Sequence, residues 1–482
     1  MAVRGSCHRL FDRRVTLPEV LKTPYSPRIM ILVAVIVALA LTAAACDSSG
    51  GTQTSTVPPQ EATSATVATT TTAAPLTAIP PNSIPGENSP SIPSDVGEAM
   101  RAQVGVLILD VEESRGLPFL EIPTVTILDE TDFTARVTAT LEKELDPEEV
   151  AGDQALFELL GMLDASTDLY RLLIDLSTEG ILGFYDPDAG ELVVPVSADG
   201  ISPFQELTIT HELVHALTNQ QFEYNDVYEQ RIEEGTRDDA AAILALLEGD
   251  ATYQQFLYLE SMDPADAANA VLEWRSFDRS VLDSVPRWIQ QDLAFPYEQG
   301  LVFAGALVVD EGLKGLDGAY LQLPISSEQI LHPEKYARSE QPSALASLTV
   351  ELTGWELFDE ATFGEWGIRM ILLDSLRPGA VTQAAAGWGN DTYRVFLNGD
   401  DTAIAWVYDG ETIEDAEELA DGLIAHIRGT MDAGTPEESG GGLLFSGGST
   451  YVFIDRVDDQ IFFVASTDPA AGASLREQLG ER

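Results

Sequence analysis

Hydrophobic and polar positions divide the chain into four stretches of different character. Residues 29–45, IMILVAVIVALALTAAA, form an unbroken apolar run. Residues 46–95 are rich in Thr, Ser, Pro and Ala and carry almost no large apolar groups. With so little to bury, that stretch predicts a flexible tether. Periodic patterns begin near residue 96. PTVTILD (123–129) alternates like a strand, and 133–176 places apolar groups three and four apart, as in ALFELLGMLDAS and DLYRLLIDL, which predicts helices. GILGFYDPDAGELVVPV (180–196) predicts a hairpin, two apolar strands around a turn of Asp, Pro and Gly. Helical spacing dominates from 204 to about 320. Towards the end, DTAIAWVYDG, EDAEELADGLIAHIRG and STYVFIDRVDDQIFFVAST predict a strand, a helix and a strand pair. The expected class is α+β: a mainly helical domain over 96–375 with an upstream β-hairpin edge strand, then a small α+β unit over 376–482.

Charge changes the picture at both ends. The 482 residues hold 26 Lys and Arg against 79 Asp and Glu, a net of −53. Six of the basic residues (Arg4, Arg9, Arg13, Arg14, Lys22, Arg28) precede the apolar run, leaving 20 basic against 77 acidic residues from residue 46 onward. Such a surface repels nucleic acid and anionic headgroups, which removes both as expected partners. A basic segment ahead of an apolar run predicts a signal sequence or short membrane anchor over 1–45, basic side inside and the remainder exported. The run ends in LTAAAC, which resembles a bacterial lipobox and makes Cys46 the candidate lipidation site. Lipid at Cys46 or an uncleaved anchor would tether the chain to the extracytoplasmic face of the cell membrane, and cleavage without lipid would release it on the same side. Cys7 and Cys46 would then lie on opposite sides, so no disulfide framework is expected.

The chemistry concentrates in TITHELVHALTNQ (208–220). On a helix, His211 and His215 leave the same face, about 40° apart around the axis, and can reach one ion. Neutral imidazole suits zinc, and Glu212 beside the first histidine is placed to act on water as a general base. Catalytic zinc takes three protein ligands. No third histidine follows at the spacing of the H-E-x-x-H-x-x-G-x-x-H class. Instead AAAILALLEGDAT sets Glu248 and Asp250 inside an apolar helical run, where an acid needs a buried partner.

H-E-L-V-H-A-L followed by A-L-L-E-G-D-A resembles the gluzincin metallopeptidases. That resemblance implies a zincin-like catalytic domain with His211, His215 and Glu248 as zinc ligands and Glu212 as general base. FPYEQGLVFAGAL (295–307) and SSEQILHPEKY (326–336) look like stretches of exported bacterial proteins with the same core. Thermolysin-like members place an Asp four residues after the ligand Glu, where this chain has Thr252. Asp250 is the candidate for that orienting role, or for the third ligand place itself. His332 and Tyr297, the latter expected in a loop beside Pro296, are the candidate donors to an oxyanion. His426 is expected on a helix surface, and Trp388 in a core. The implied activity is zinc-dependent hydrolysis of a peptide or protein substrate that adds to the edge strand near 181–195. The alternatives are a binding or envelope-structural lipoprotein that keeps the fold without activity, and a metal sensor or carrier.

Overall fold

The computed structural model describes residues 84–480, apart from 179–180, 197–199, 234–236 and 278. Helix α1 (Ser94–Arg115) leads into strand β1 (Thr124–Leu128), then α2 (Glu130–Glu144), α3 (Pro147–Leu159) and α4 (Leu169–Thr178). The hairpin β2 (Phe184–Asp186) and β3 (Glu191–Pro195) follows. After it come α5 (Pro203–Phe222), α6 (Tyr224–Glu233), α7 (Arg237–Ser261), α8 (Pro264–Arg275), α9 (Arg287–Glu311), α10 (Leu313–Leu321), α11 (Ser327–Leu331) and α12 (Pro333–Ala337). The second part holds β4 (Glu356–Ala361), α13 (Gly364–Leu372), α14 (Pro378–Ala385), β5 (Trp388–Asn398), β6 (Asp401–Gly410) and α15 (Ile413–Gly429). It closes with β7 (Gly434–Ser439), β8 (Gly442–Gly447), β9 (Tyr451–Val457), β10 (Gln460–Ser466) and α16 (Pro469–Gly480). The class is α+β, as the periodicity predicts.

The small sheet has the order β1-β3-β2, with β1 parallel to β3 and β2 antiparallel on the outer edge. Leu192, Val193 and Val194 are all buried, which fits a central strand covered on both faces. One face meets α1 and α5 through Val125, Ile127, Leu192, Leu213 and Leu217. The other meets the α2, α4 and α7 core through Phe133, Phe184 and Val193. Residues ahead of 96 pack into the fold. Ile84 and Ile92 are buried, and Asn88 bridges to Ile127 alongside β1, so residues 84–95 belong to the fold and not to the expected tether. The apolar run, Cys46 and the tether up to residue 83 lie outside the described residues. Among the described residues no helix is long and apolar enough to cross a membrane.

The C-terminal part is larger than the expected strand, helix and strand pair. It is a seven-stranded sheet, order β4-β5-β6-β10-β9-β8-β7, whose first strand begins at Glu356, ahead of the expected boundary at 376. Apolar clusters line both faces. One packs β5, β6 and β9 against α13, α14 and α15, and the other packs Val407, Phe453 and Val464 against Leu475 and Leu479 of α16. β6 is buried over seven consecutive residues because it is covered on both sides.

Candidate metal centre

Helix α5 starts where the local sequence says it should. Ser202 caps it by accepting the Gln205 N–H at 3.2 Å, and Pro203 occupies the first turn, where its missing N–H is no loss. From Phe204 to Thr218 nearly every side chain is buried, as for a helix packed on all sides. Gln205 reaches back to the hairpin, donating to the carbonyls of Leu182 (3.3 Å) and Pro195 (3.1 Å). That ties the end of β3 and the residues just before β2 to the same helix that carries the histidines.

Helix α7 brings the third donor. It packs against α5 on one side and α9 on the other. α7 and α9 approach closely at Gly249 and Gly300, where a Cβ on Gly249 would stand 2.2 Å from the Gly300 carbonyl oxygen. Any larger residue would force the helices apart. The neighbour of Gly249 is Glu248, fully buried, and three residues before Gly300 comes Tyr297.

His211, His215 and Glu248 converge and are all buried. His211 Nε2 lies 2.9 Å from Glu248 Oε2 and 3.1 Å from His215 Nε2, and His215 Nε2 lies 3.4 Å from Glu248 Oε2. Three such atoms this close either share a proton on one imidazole or hold a cation among them. A tetrahedral zinc bonded at about 2.0–2.1 Å would set its donors about 3.3–3.4 Å apart, close to the observed triangle. Two buried atoms of the set, Glu248 Oε1 and His215 Nδ1, have no hydrogen-bond partner. The residues therefore fit a single ion. Burial pushes the Glu248 carboxyl up, but His215 and His211 outweigh it and bring the carboxyl down to about 2. Burial opposes charge on His215, which the Glu248 carboxylate nonetheless raises above its ordinary value.

Glu212 sits beside the three donors without joining them. Its Oε2 accepts the backbone N–H of Tyr185 on β2 at 2.8 Å, and its Oε1 is buried without a partner. Burial raises its pKa, which His215 and His211 only partly counter. A carboxylate with one oxygen anchored and the other open is what a general base requires.

Asp250 does not compete for the ion. Two residues along a helix turn the side chain some 200°, so Glu248 and Asp250 point to opposite sides. Asp250 Oδ2 instead accepts Arg115 Nε at 2.9 Å, and the same buried guanidinium reaches Asp317 Oδ1 at 2.7 Å. Its charge acts on His215. Thr252 is buried with its hydroxyl unpartnered.

Tyr297 lies within α9, not in a loop, because Pro296 is accommodated inside that helix. Its ring stacks on His211 at 6.0 Å, and its buried hydroxyl faces Glu248 without completing a well-directed hydrogen bond. His332 is elsewhere: its Nε2 is 2.9 Å from Glu365 on α13, in the seam between the two parts of the chain. His426 is buried rather than on a surface, with Nε2 donating to the Leu160 carbonyl (2.8 Å) and Nδ1 beside Ser375 Oγ (2.8 Å). Trp388 is in the sheet core. Sequence reasoning missed Arg115, Tyr224 and Tyr228. Tyr224 reaches the His215 carbonyl at 3.4 Å, and the charge of Glu248 acts on both tyrosines. No motif marks them; only the number of tyrosines near a buried acid could have.

Comparison with known proteins adds little chemistry. The profile of a family described as "Domain of unknown function (DUF8575)" matches residues 354–476, the extent of the seven-stranded sheet and its helices. No curated protein matches the chain. A crystal structure of a candidate hydrolase with a novel fold, from Chloroflexus aurantiacus, is similar to 51% of this chain and 90% of its own, at 17% identity and a TM-score of 0.34. That likeness is too loose to bear on function.

Proposed function

We propose that the chain is a zinc-dependent hydrolase of peptide bonds, tethered to the outer face of the cell membrane by its N-terminal segment. The observation that carries this reading is Glu212, a buried carboxylate with one open oxygen, held against the three-donor set by the Tyr185 N–H. A site that only stored metal would have no use for it. His211, His215 and Glu248 would hold the ion. Zinc supplies Lewis acidity and acidifies water, which amide hydrolysis at neutral pH needs. Glu212 takes the proton of the attacking water and returns it to the leaving amine. Tyr297 is the better placed of the two candidate donors to an oxyanion, since it adjoins His211 and Glu248 while His332 is engaged by Glu365. The edge strand β2 would hold the peptide backbone. Glu212→Gln should keep about one zinc per chain and lose hydrolysis, whereas His215→Ala should lose both, read by metal mass spectrometry and a peptide-library digest. Hydrolysis surviving in purified Glu212→Gln would end the assignment of the base.

One observation favours a second reading. His211 and His215 are 2% exposed and Glu248 not at all, and closed zinc sites are commonly structural. An inactive, metal-stabilised lipoprotein predicts zinc without turnover on any peptide, and a melting temperature that falls when the metal is stripped.

A further inference from the structure

Between the helical part and the seven-stranded sheet lies a cavity of about 190 Å³, walled by α3, α7, α9, α13 and β5. Aromatic pairs supply much of the wall: Phe157 with Trp288 (ring centroids 4.6 Å apart) and Phe363 with Tyr393 (4.2 Å). Trp366 completes it, backed by Phe295 at 4.4 Å. An apolar cavity of about 150 Å³ holds benzene. This one therefore has room for one six-membered ring and a short substituent. Phe157, Asp292 and Phe363 are partly exposed, which gives a ligand a way in.

Three charged residues interrupt the apolar lining, and two are committed. Asp238 Oδ2 accepts the Ser327 N–H at 3.1 Å, and its Oδ1 presses so close to Gly364 that a Cβ there would stand 1.8 Å away. Arg237 is held by Asp359 (2.8 Å) and Asp153 (3.4 Å). Asp292 is different. Its Oδ1 accepts Trp366 Nε1 at 2.9 Å, and among the described residues its second oxygen receives no hydrogen bond. Trp366 thus holds a carboxylate in the lining of a cavity that its own ring helps to form. An aromatic wall and a carboxylate attract a cation attached to a ring, and a chain of net charge −53 draws cations in general.

We propose that this cavity binds a single aromatic ring carrying a protonated amine, the ring among Phe157, Trp288, Phe363 and Trp366 and the ammonium on the open oxygen of Asp292. The site is distinct from the three-donor centre and does not rest on the zinc reading, although Tyr228 lines the cavity and also senses the charge of Glu248.

The test is calorimetric titration of the full-length chain with phenethylamine, its neutral isostere phenethyl alcohol, and phenylacetate. The amine should bind with one-to-one stoichiometry, roughly tenfold or more tighter than the alcohol, and the acid should not bind. Asp292→Asn should erase the preference for the amine while the alcohol still binds. Gly367→Leu and Ala241→Leu, each filling the cavity from a different wall, should abolish binding of both, with thermal melts identifying any variant that has lost its fold. Absence of saturable amine binding, equal binding of amine and acid, or an unchanged preference in Asp292→Asn would overturn the proposal. So would wild-type binding in both filled variants.

Discussion

The helical part and the sheet part bury polar groups in opposite ways. In the sheet part, Asp391 is fully enclosed and fully used: Oδ1 accepts Gly364 N–H (3.0 Å) and Trp388 Nε1 (2.7 Å), and Oδ2 accepts Phe363 N–H (3.0 Å) and Trp406 Nε1 (2.9 Å). From β4 onward, Arg369 Nε is the one buried side-chain atom left without a partner among the described residues. In the helical part, Thr210, Glu212, His215, Glu248, Thr252, Gln254 and Tyr297 all carry buried atoms with none. Native cores rarely tolerate such groups. Their clustering on α5, α7 and α9 marks a region where the fold leaves buried polar groups unpaired, while the sheet uses its buried polar groups to hold itself together.

Removing Asp391 should do the most damage. Asp391→Ala strands four buried donors at once and should destabilise the chain by about 4–5 kcal/mol, seen as a large fall in the denaturation midpoint. A change below about 1 kcal/mol would erase the contrast.

Gly249→Ala comes next. Its methyl group meets the Gly300 carbonyl, so α7 and α9 must separate, at about 3 kcal/mol, and Glu248 must shift with them. Zinc affinity should fall along with stability, whereas a surface Gly→Ala control would lower neither.

Asp153 sharpens the comparison through pH, because it is a buried acid at the boundary of the two parts. Burial raises it from 3.8 to about 7, against the pull of Arg237. Below pH 3.8 folded and unfolded chains both hold the proton. Between there and about pH 7 the unfolded chain ionises more readily, so this group's contribution to stability falls as pH rises. Asp153→Asn should flatten that slope and leave a chain up to about 4 kcal/mol more stable than the parent at pH 8, with no gain near pH 4. An unchanged slope in urea melts from pH 4 to 8 would show that Arg237 keeps the carboxylate ionised throughout.

The smallest effect is expected at Thr252. Thr252→Val removes a buried hydroxyl without a partner and keeps the shape, so it should stabilise by about 1 kcal/mol and leave zinc content unchanged. A loss of zinc would instead assign that hydroxyl to the metal centre.

The sequence revealed the helical part better than the sheet part, for physical reasons. His211, His215 and Glu248 were legible because few arrangements put two imidazoles on one helix face and an acid inside an apolar run. The hairpin was legible from its turn residues. Strand β7, GTPEES, was not, because it is an exposed edge with no apolar alternation. Strand β5 hid behind Gly389, Asn390 and Asp391, polar residues whose partners come from elsewhere in the chain. Pro296 suggested a loop because a proline removes one helical hydrogen bond, yet α9 continues through it. His426 looked superficial beside Arg428, since nothing local discloses that the Leu160 carbonyl waits 266 residues upstream.

The ion pair between Arg115 and Asp250 has a mechanical side. Arg115 ends the first long helix, and Asp250 stands two residues beyond Glu248, so the C-terminal end of α1 is pinned close to the three-donor set rather than to a remote loop. A pull on the segment before Ser94 meets its pairing with β1 first, and what passes down α1 reaches α7 as shear across one buried guanidinium. The helix that supplies the third donor is thereby coupled to the end of α1 through that buried ion pair.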